Sequence, residues 1–120
     1  MPKLVRDIGH ILIGVEDMEE ALGFYRDLLG LDVIGETSAN WTVVSALGGQ
    51  FTLYKQEDVI PVVLGPEGNR TPFSLHVHDF EEAADALEAA GVRLGRGDAH
   101  HGVVWDPFGN VLELHDHREE

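Results

Sequence analysis

The chain carries seven histidines and no cysteine. Thiol nucleophiles, disulfides and zinc–thiolate sites are therefore excluded. Imidazoles remain, and they exchange protons near neutral pH or bind metals. His10 sits in a β-branched run, His76 and His78 flank Val77, His100 and His101 follow Gly97, and His115 lies near the end. A single histidine on a strand, taken alone, reads as an ordinary structural residue. Glu113 is placed more tellingly, between Leu112 and Leu114. If those leucines pack on a helix, alternation turns the Glu113 carboxylate to the opposite face of its strand. Were His10 and Glu113 to meet, the glutamate would favour the protonated imidazole, and the pair could anchor a polar ligand. Gln50, Thr52 and Tyr54 share one strand face by the same alternation, and Tyr54 could stack on a ligand or hydrogen-bond to it. Trp41 and Trp105 fall at or near the third strand of each half, where sequence leaves open whether they face a cleft or the core. Phe24 and Tyr25 read as helix core, and Asp106-Pro107-Phe108-Gly109-Asn110 as a turn.

An internal repeat must position these residues. Val-x-Asp-x-Glu-Glu-Ala-like segments occupy Val15–Ala21 and Val77–Ala83, 62 positions apart. Leu47–Leu53 aligns with Phe108–Leu114, and Gly30 with Gly91, both at an offset of 61. Two copies are too few for a solenoid, so a duplicated half-domain is expected. Each half opens on an apolar strand, Ile8–Val15 or Phe73–Val77. An Asp-x-x-Glu helix start follows, Asp17/Glu20 or Asp79/Glu82. Each helix is expected to end at the glycine, Gly30 or Gly91. Three short strands complete each half: Leu31–Glu36, Trp41–Leu47 and Gln50–Lys55 in the first, and Val92–Leu94, Gly102–Trp105 and Asn110–Asp116 in the second. Glycines 48, 49 and 109 read as hairpin turns. The expected class is α+β, with two tandem βαβββ modules forming a cleft-shaped mixed sheet. The expected organisation is one domain over residues 1–120, with half-modules at about 4–56 and 73–117 and a Pro/Gly linker at about 57–72.

The chain has 120 residues, 43% of them hydrophobic, which suits one domain with a real core. With 8 basic against 22 acidic residues the net charge is −14. Such a surface repels nucleic acid and anionic membranes and attracts cations; it also serves simply as a solvated face. Neither a signal peptide nor a membrane span is expected, which reads as a cytoplasmic protein.

The segments HILIGVEDMEEALGFYRDLLGLDVI, FSLHVHDFEEAADALEAAGV and DPFGNVLELHDH resemble the vicinal-oxygen-chelate superfamily. It includes glyoxalase I, fosfomycin-resistance enzymes, extradiol dioxygenases and bleomycin-resistance proteins. The resemblance implies a glyoxalase-like fold and four metal-ligand positions, here His10, Thr52, Pro72 and Glu113. Proline has no side-chain donor and threonine is a poor ligand, so two of the four positions are lost, one in each half. His76 lies four residues past Pro72 on the same strand face, roughly 13 Å along at strand rise. His115 lies roughly 7 Å past Glu113 on its face. His78 sits near the strand end, and His100 and His101 are expected in a Gly-rich turn over the cleft mouth.

Two functions follow from the resemblance. One is a metal-independent binder of a small organic molecule, cationic or aromatic, as in the bleomycin-resistance branch. Its cleft would be lined by Trp41, Gln50, Thr52, Tyr54, His76, Trp105 and His115. The other is a lyase, isomerase, transferase or dioxygenase that uses a divalent metal held by His10 and Glu113. A regulatory module without a ligand is a third possibility. No cofactor is firmly expected, and the resemblance implies a homodimer.

Overall fold

The computed structural model describes Leu4 and residues 11–47, 49–55 and 73–116. His10, Pro72 and the expected linker lie outside the described residues.

Two helix starts confirm the repeat. Asp17 and Asp79 are N-caps with nearly equal backbone angles, φ −146° and −147°. Each carboxylate accepts the backbone N–H of the residue three on, Glu20 or Glu82, at 3.0 Å. Helix α1 (Met18–Leu22) and helix α2 (Phe80–Ala89) follow. Gly30 and Gly91 take φ of 82° and 84°, a left-handed conformation that favours glycine and ends a helix.

The first helix departs from expectation after Leu22. Gly23–Leu28 is π-helical, and the Leu29 N–H reaches back five residues to the Phe24 carbonyl at 2.9 Å. The wider turn accompanies the burial of two successive aromatic rings. Phe24 stands edge-on to Tyr25 at 4.9 Å, and Tyr25 edge-on to Phe51 at 5.7 Å.

In the first module, strands β1 (Leu12–Val15), β2 (Asp32–Ile34), β3 (Trp41–Ala46) and β4 (Gly49–Lys55) form one sheet in the order β1-β4-β3-β2. In the second, β5 (Phe73–His76), β6 (Leu94–Arg96), β7 (His101–Trp105) and β8 (Val111–His115) repeat it as β5-β8-β7-β6. Each sheet has one parallel pair, β1 with β4 and β5 with β8; the other pairs are antiparallel.

Three local expectations need correction. The sixth strand begins at Leu94, not Val92, because the Val92 N–H closes the end of α2 on the Leu87 carbonyl at 3.0 Å. Gly49 is not a turn residue; it belongs to β4, opposite Ala46. His101 is not in the turn but opens β7, opposite His115.

Leucines and valines on the helix side of both sheets form one core cluster. Ile13, Val15, Val44 and Leu53 come from the first module, and Phe80, Leu87, Val104, Leu112 and Leu114 from the second. A polar network also crosses between the modules. Asp106 accepts the Tyr25 hydroxyl at 2.7 Å, and Asn110 donates to the Gly14 carbonyl at 2.8 Å. Burial, reinforced by the Asp106 charge and hydrogen bond, pushes the Tyr25 hydroxyl pKa far above its usual value, so it remains a donor.

Candidate functional site

Strand alternation gives each sheet a face turned away from the helices. On the first sheet, Phe51 and Leu53 enter the core, while Gln50, Thr52 and Tyr54 take the other face. Cross-strand register places Trp41 beside Tyr54, Val43 beside Thr52, and Ser45 beside Gln50. The face question for Trp41 is thereby answered. Its ring lies 6.3 Å from that of Tyr54 at a tilt of 55°. Trp41 is 39% exposed, whereas Thr52 and Tyr54 are 1% and 3% exposed. Gln50 is exposed at the strand's start. The Tyr54 hydroxyl is buried with no hydrogen-bond partner among the described residues. An orphaned donor of this kind costs about 1–3 kcal/mol unless a ligand or water accepts from it. Burial also raises the Tyr54 pKa, which keeps the hydroxyl protonated.

On the second sheet, Leu112 and Leu114 enter the core, and Val111, Glu113 and His115 take the other face, all half-buried. Glu113 pairs with Ser74 on one side and with Val103 on the other, so its row offers only a serine hydroxyl beside the carboxylate. The next row is different. His76, His115 and His101 are cross-strand partners from β5, β8 and β7. Trp105 pairs with Val111, and the Arg93 guanidinium lies 4.0 Å from its ring centre. His78 is exposed just past β5. His100 leaves the sheet to meet Asp116, with its Nδ1 2.7 Å from the carboxylate.

The predicted lining residues thus form two groups, one per sheet: Trp41, Gln50, Thr52 and Tyr54 on the first, and His76, Trp105, Glu113 and His115 on the second. A cavity of about 540 Å³ lies elsewhere, between the π-helical turn and the end of α2; Phe24, Leu28, Val92, Arg93 and Trp105 line it. Trp105 is the only predicted lining residue that borders it.

The donor set does not make a complete metal centre at the family positions. Thr52 is buried and offers only a hydroxyl, and Glu113 stands between Ser74 and Val103. Among the described residues no three His, Asp or Glu side chains converge as they would around an ion.

Two aspartates near this face carry a pH prediction. The backbone N–H of His100, then the His101 ring, hold the Asp98 carboxyl below the usual range. For Asp116 the backbone N–H of Phe80 comes first, then His100 and His115. Both folded pKa values lie below the unfolded ones. Their contribution to stability is therefore complete above the ordinary aspartate range and is lost as pH falls through the depressed values. The urea midpoint should drop on acidification below about pH 4. The drop should be shallower in an Asp98→Asn/Asp116→Asn double variant; an equal slope refutes the assignment.

Comparison with known proteins agrees with this architecture. A family model described as Glyoxalase/Bleomycin resistance protein/Dioxygenase superfamily matches residues 7–114, and the chain belongs to that superfamily. The metallothiol transferase FosB of Staphylococcus epidermidis is 30% identical over 121 residues, covering 93% of this chain and 84% of that protein. The fosfomycin resistance protein FosX from Listeria monocytogenes shares the fold, with a TM-score of 0.72 at 14% identity over 98% of this chain and 95% of that one. So does TnmS3, an antibiotic binding protein from Streptomyces sp. CB03234, with a TM-score of 0.71 at 20% identity over 98% of this chain and 100% of that one. Among the described residues no helix is long and apolar enough to cross a membrane.

Sequence reasoning missed the Tyr25–Asp106–Asn110 network, although the Asp-Pro-Phe-Gly-Asn turn was visible. It expected His115 near His76 but put His101 in a turn, and so missed the third member of that row. That row follows from strand register, which the hairpin glycines alone did not set.

Proposed function

We propose that the chain binds a small organic molecule carrying a flat apolar part and a hydrogen-bond acceptor, on a cleft built from the outer sheet faces. The observation that carries this reading is the Trp41–Tyr54 pair. An exposed indole lies beside a buried phenol whose hydroxyl is unpaired among the described residues. A planar ligand would cover Trp41, and its acceptor would take the Tyr54 proton. Thr52 and Gln50 continue that wall, and Trp105, Glu113, His76 and His115 supply the second. A homodimer bringing unlike sheets together would close the cleft. The net charge of −14 favours cationic ligands, with an attraction that weakens as salt rises. The same fold serves an antibiotic binding protein.

The likeness to a metallothiol transferase favours a second reading, in which His10 and Glu113 hold a divalent metal and the chain transfers a thiol. The two readings separate in one set of measurements on tag-free protein. Calorimetry with a planar aromatic cation should show binding that weakens with salt and falls at least about tenfold in Trp41→Ala and in Tyr54→Phe. Titration with Mn(II), Fe(II), Ni(II) and Zn(II), then thiol consumption with fosfomycin, tests the alternative. Tight metal binding lost in His10→Ala, together with turnover and no response to the aromatic cation, would replace the first reading by the second.

A further inference from the structure

The outer face of the second sheet carries three imidazoles in one cross-strand row. His76 of β5 pairs with His115 of β8, and His115 pairs with His101 of β7. Side chains of paired residues project from the same face. The His76 and His115 ring centres are 5.9 Å apart, and those of His115 and His101 are 6.1 Å apart. Two imidazoles in neighbouring positions on one ion, through nitrogens about 2.0–2.1 Å from it, have ring centres roughly 4.5–5.2 Å apart. Each neighbouring pair stands about 1 Å wider than that, a gap that a side-chain rotation closes.

A second observation points the same way. The Nδ1 of His101 is 3.0 Å from the Asp98 carboxylate. A carboxylate on one ring nitrogen fixes the tautomer and leaves Nε2 as the ligating atom, as outer carboxylates do around metal-bound histidines. Gly97 makes room for that ring; a Cβ there would come within 2.6 Å of His101 Nε2. The row is separate from the family's ligand positions, being one row beyond Glu113, roughly 7 Å along the strand.

We propose that His76, His115 and His101 form a binding site for a late first-row divalent cation such as Ni(II), Cu(II) or Zn(II), with His115 at its centre. Imidazole donors suit these ions, and hard oxygen-seeking cations are disfavoured. The three rings do not converge as they stand. His76 is exposed and His101 half-exposed at the sheet surface, so side-chain rotation toward His115 brings their nitrogens together without moving a strand. Water or a ligand oxygen fills the remaining positions. This site does not depend on the cleft reading above.

The test uses the tag-free 120-residue chain with Ni(II) and Cu(II) chloride. Calorimetry should give one site per chain, and the electron paramagnetic resonance of the Cu(II) form should show splitting from three nitrogens. His115→Asn should weaken binding about 100-fold or more. The exposed substitution His76→Asn, which leaves the core untouched, and Asp98→Asn should each weaken it about 10–100-fold. His10→Ala and Glu113→Gln should leave it unchanged. Absent binding, binding that survives both His115→Asn and His76→Asn, or binding abolished by His10→Ala each overturns the proposal. Only the last of these supports a metal at the family positions.

Discussion

Replacing Asp106 by alanine is expected to remove about 4 kcal/mol of folding stability, because four donors lose their acceptor at once. The carboxylate accepts from the Tyr25 hydroxyl at 2.7 Å and, each at 2.8 Å, from the Phe108 N–H, the Asn110 N–H and the Asn110 side-chain amide. Asp106 and Asn110 are 5% and 1% exposed and Tyr25 is fully buried, so water cannot easily replace the lost acceptor. Each stranded donor costs about 1–3 kcal/mol, partly relieved as the turn relaxes. The melting temperature should fall by roughly 15 °C. Tyr25→Phe removes one donor together with its need, so its cost should be nearer 1–2 kcal/mol. The two changes should not add, since they share a hydrogen bond. A loss below about 1 kcal/mol for Asp106→Ala by urea unfolding would refute a stabilising role for the Asp106 network.

Phe80→Ala should cost about 3–5 kcal/mol. Phe80 is the first residue of α2, fully buried, and its ring tip fills the hollow over Gly102. A Cβ built on Gly102 would lie 2.7 Å from Phe80 Cζ and 2.5 Å from the Gly95 carbonyl oxygen. Gly102→Ala should therefore destabilise by about 1–3 kcal/mol through overpacking. Combining the two substitutions separates the causes. Removing the Phe80 ring relieves one clash, but the Gly95 backbone cannot withdraw without breaking the β6–β7 pairing. Rescue should thus be partial. Full additivity would mean that Phe80 and Gly102 do not share that space.

What the sequence disclosed and what it withheld divide along a physical line. Local rules were readable. The Asp-x-x-Glu starts at Asp17 and Asp79 and the terminal glycines Gly30 and Gly91 act within a few residues of themselves, and the structure shows the hydrogen bonds and φ angles they imply. Alternation correctly turned Glu113 away from the leucines on either side. Features set by distant partners were not readable. The sixth strand moved to Leu94–Arg96, and Arg96 there reaches Asp85 and Glu88 on α2 at 2.8 and 2.6 Å. Tyr25, within the π-helical turn, donates to a carboxylate 81 positions away, which only the folded chain brings to it. Trp41 found its face through the β3–β4 register, and no residue near it in sequence announced that pairing.

The hydrogen bond from Asn110 to Gly14 bears on what the chain avoids. Among the described residues strand β1 lies at the margin of its sheet, paired on one side only. The Ile11 carbonyl points inward, accepting from Thr52 on β4. Carbonyls alternate along a strand, so that of Gly14, three residues on, points outward. Outward carbonyls on a marginal strand invite a stray chain to dock and lengthen the sheet, the first step of aggregation. Asn110 occupies that carbonyl with a side chain from the other module. A foreign strand would have to displace it, and the second module thereby acts as a guard on the solubility of the first.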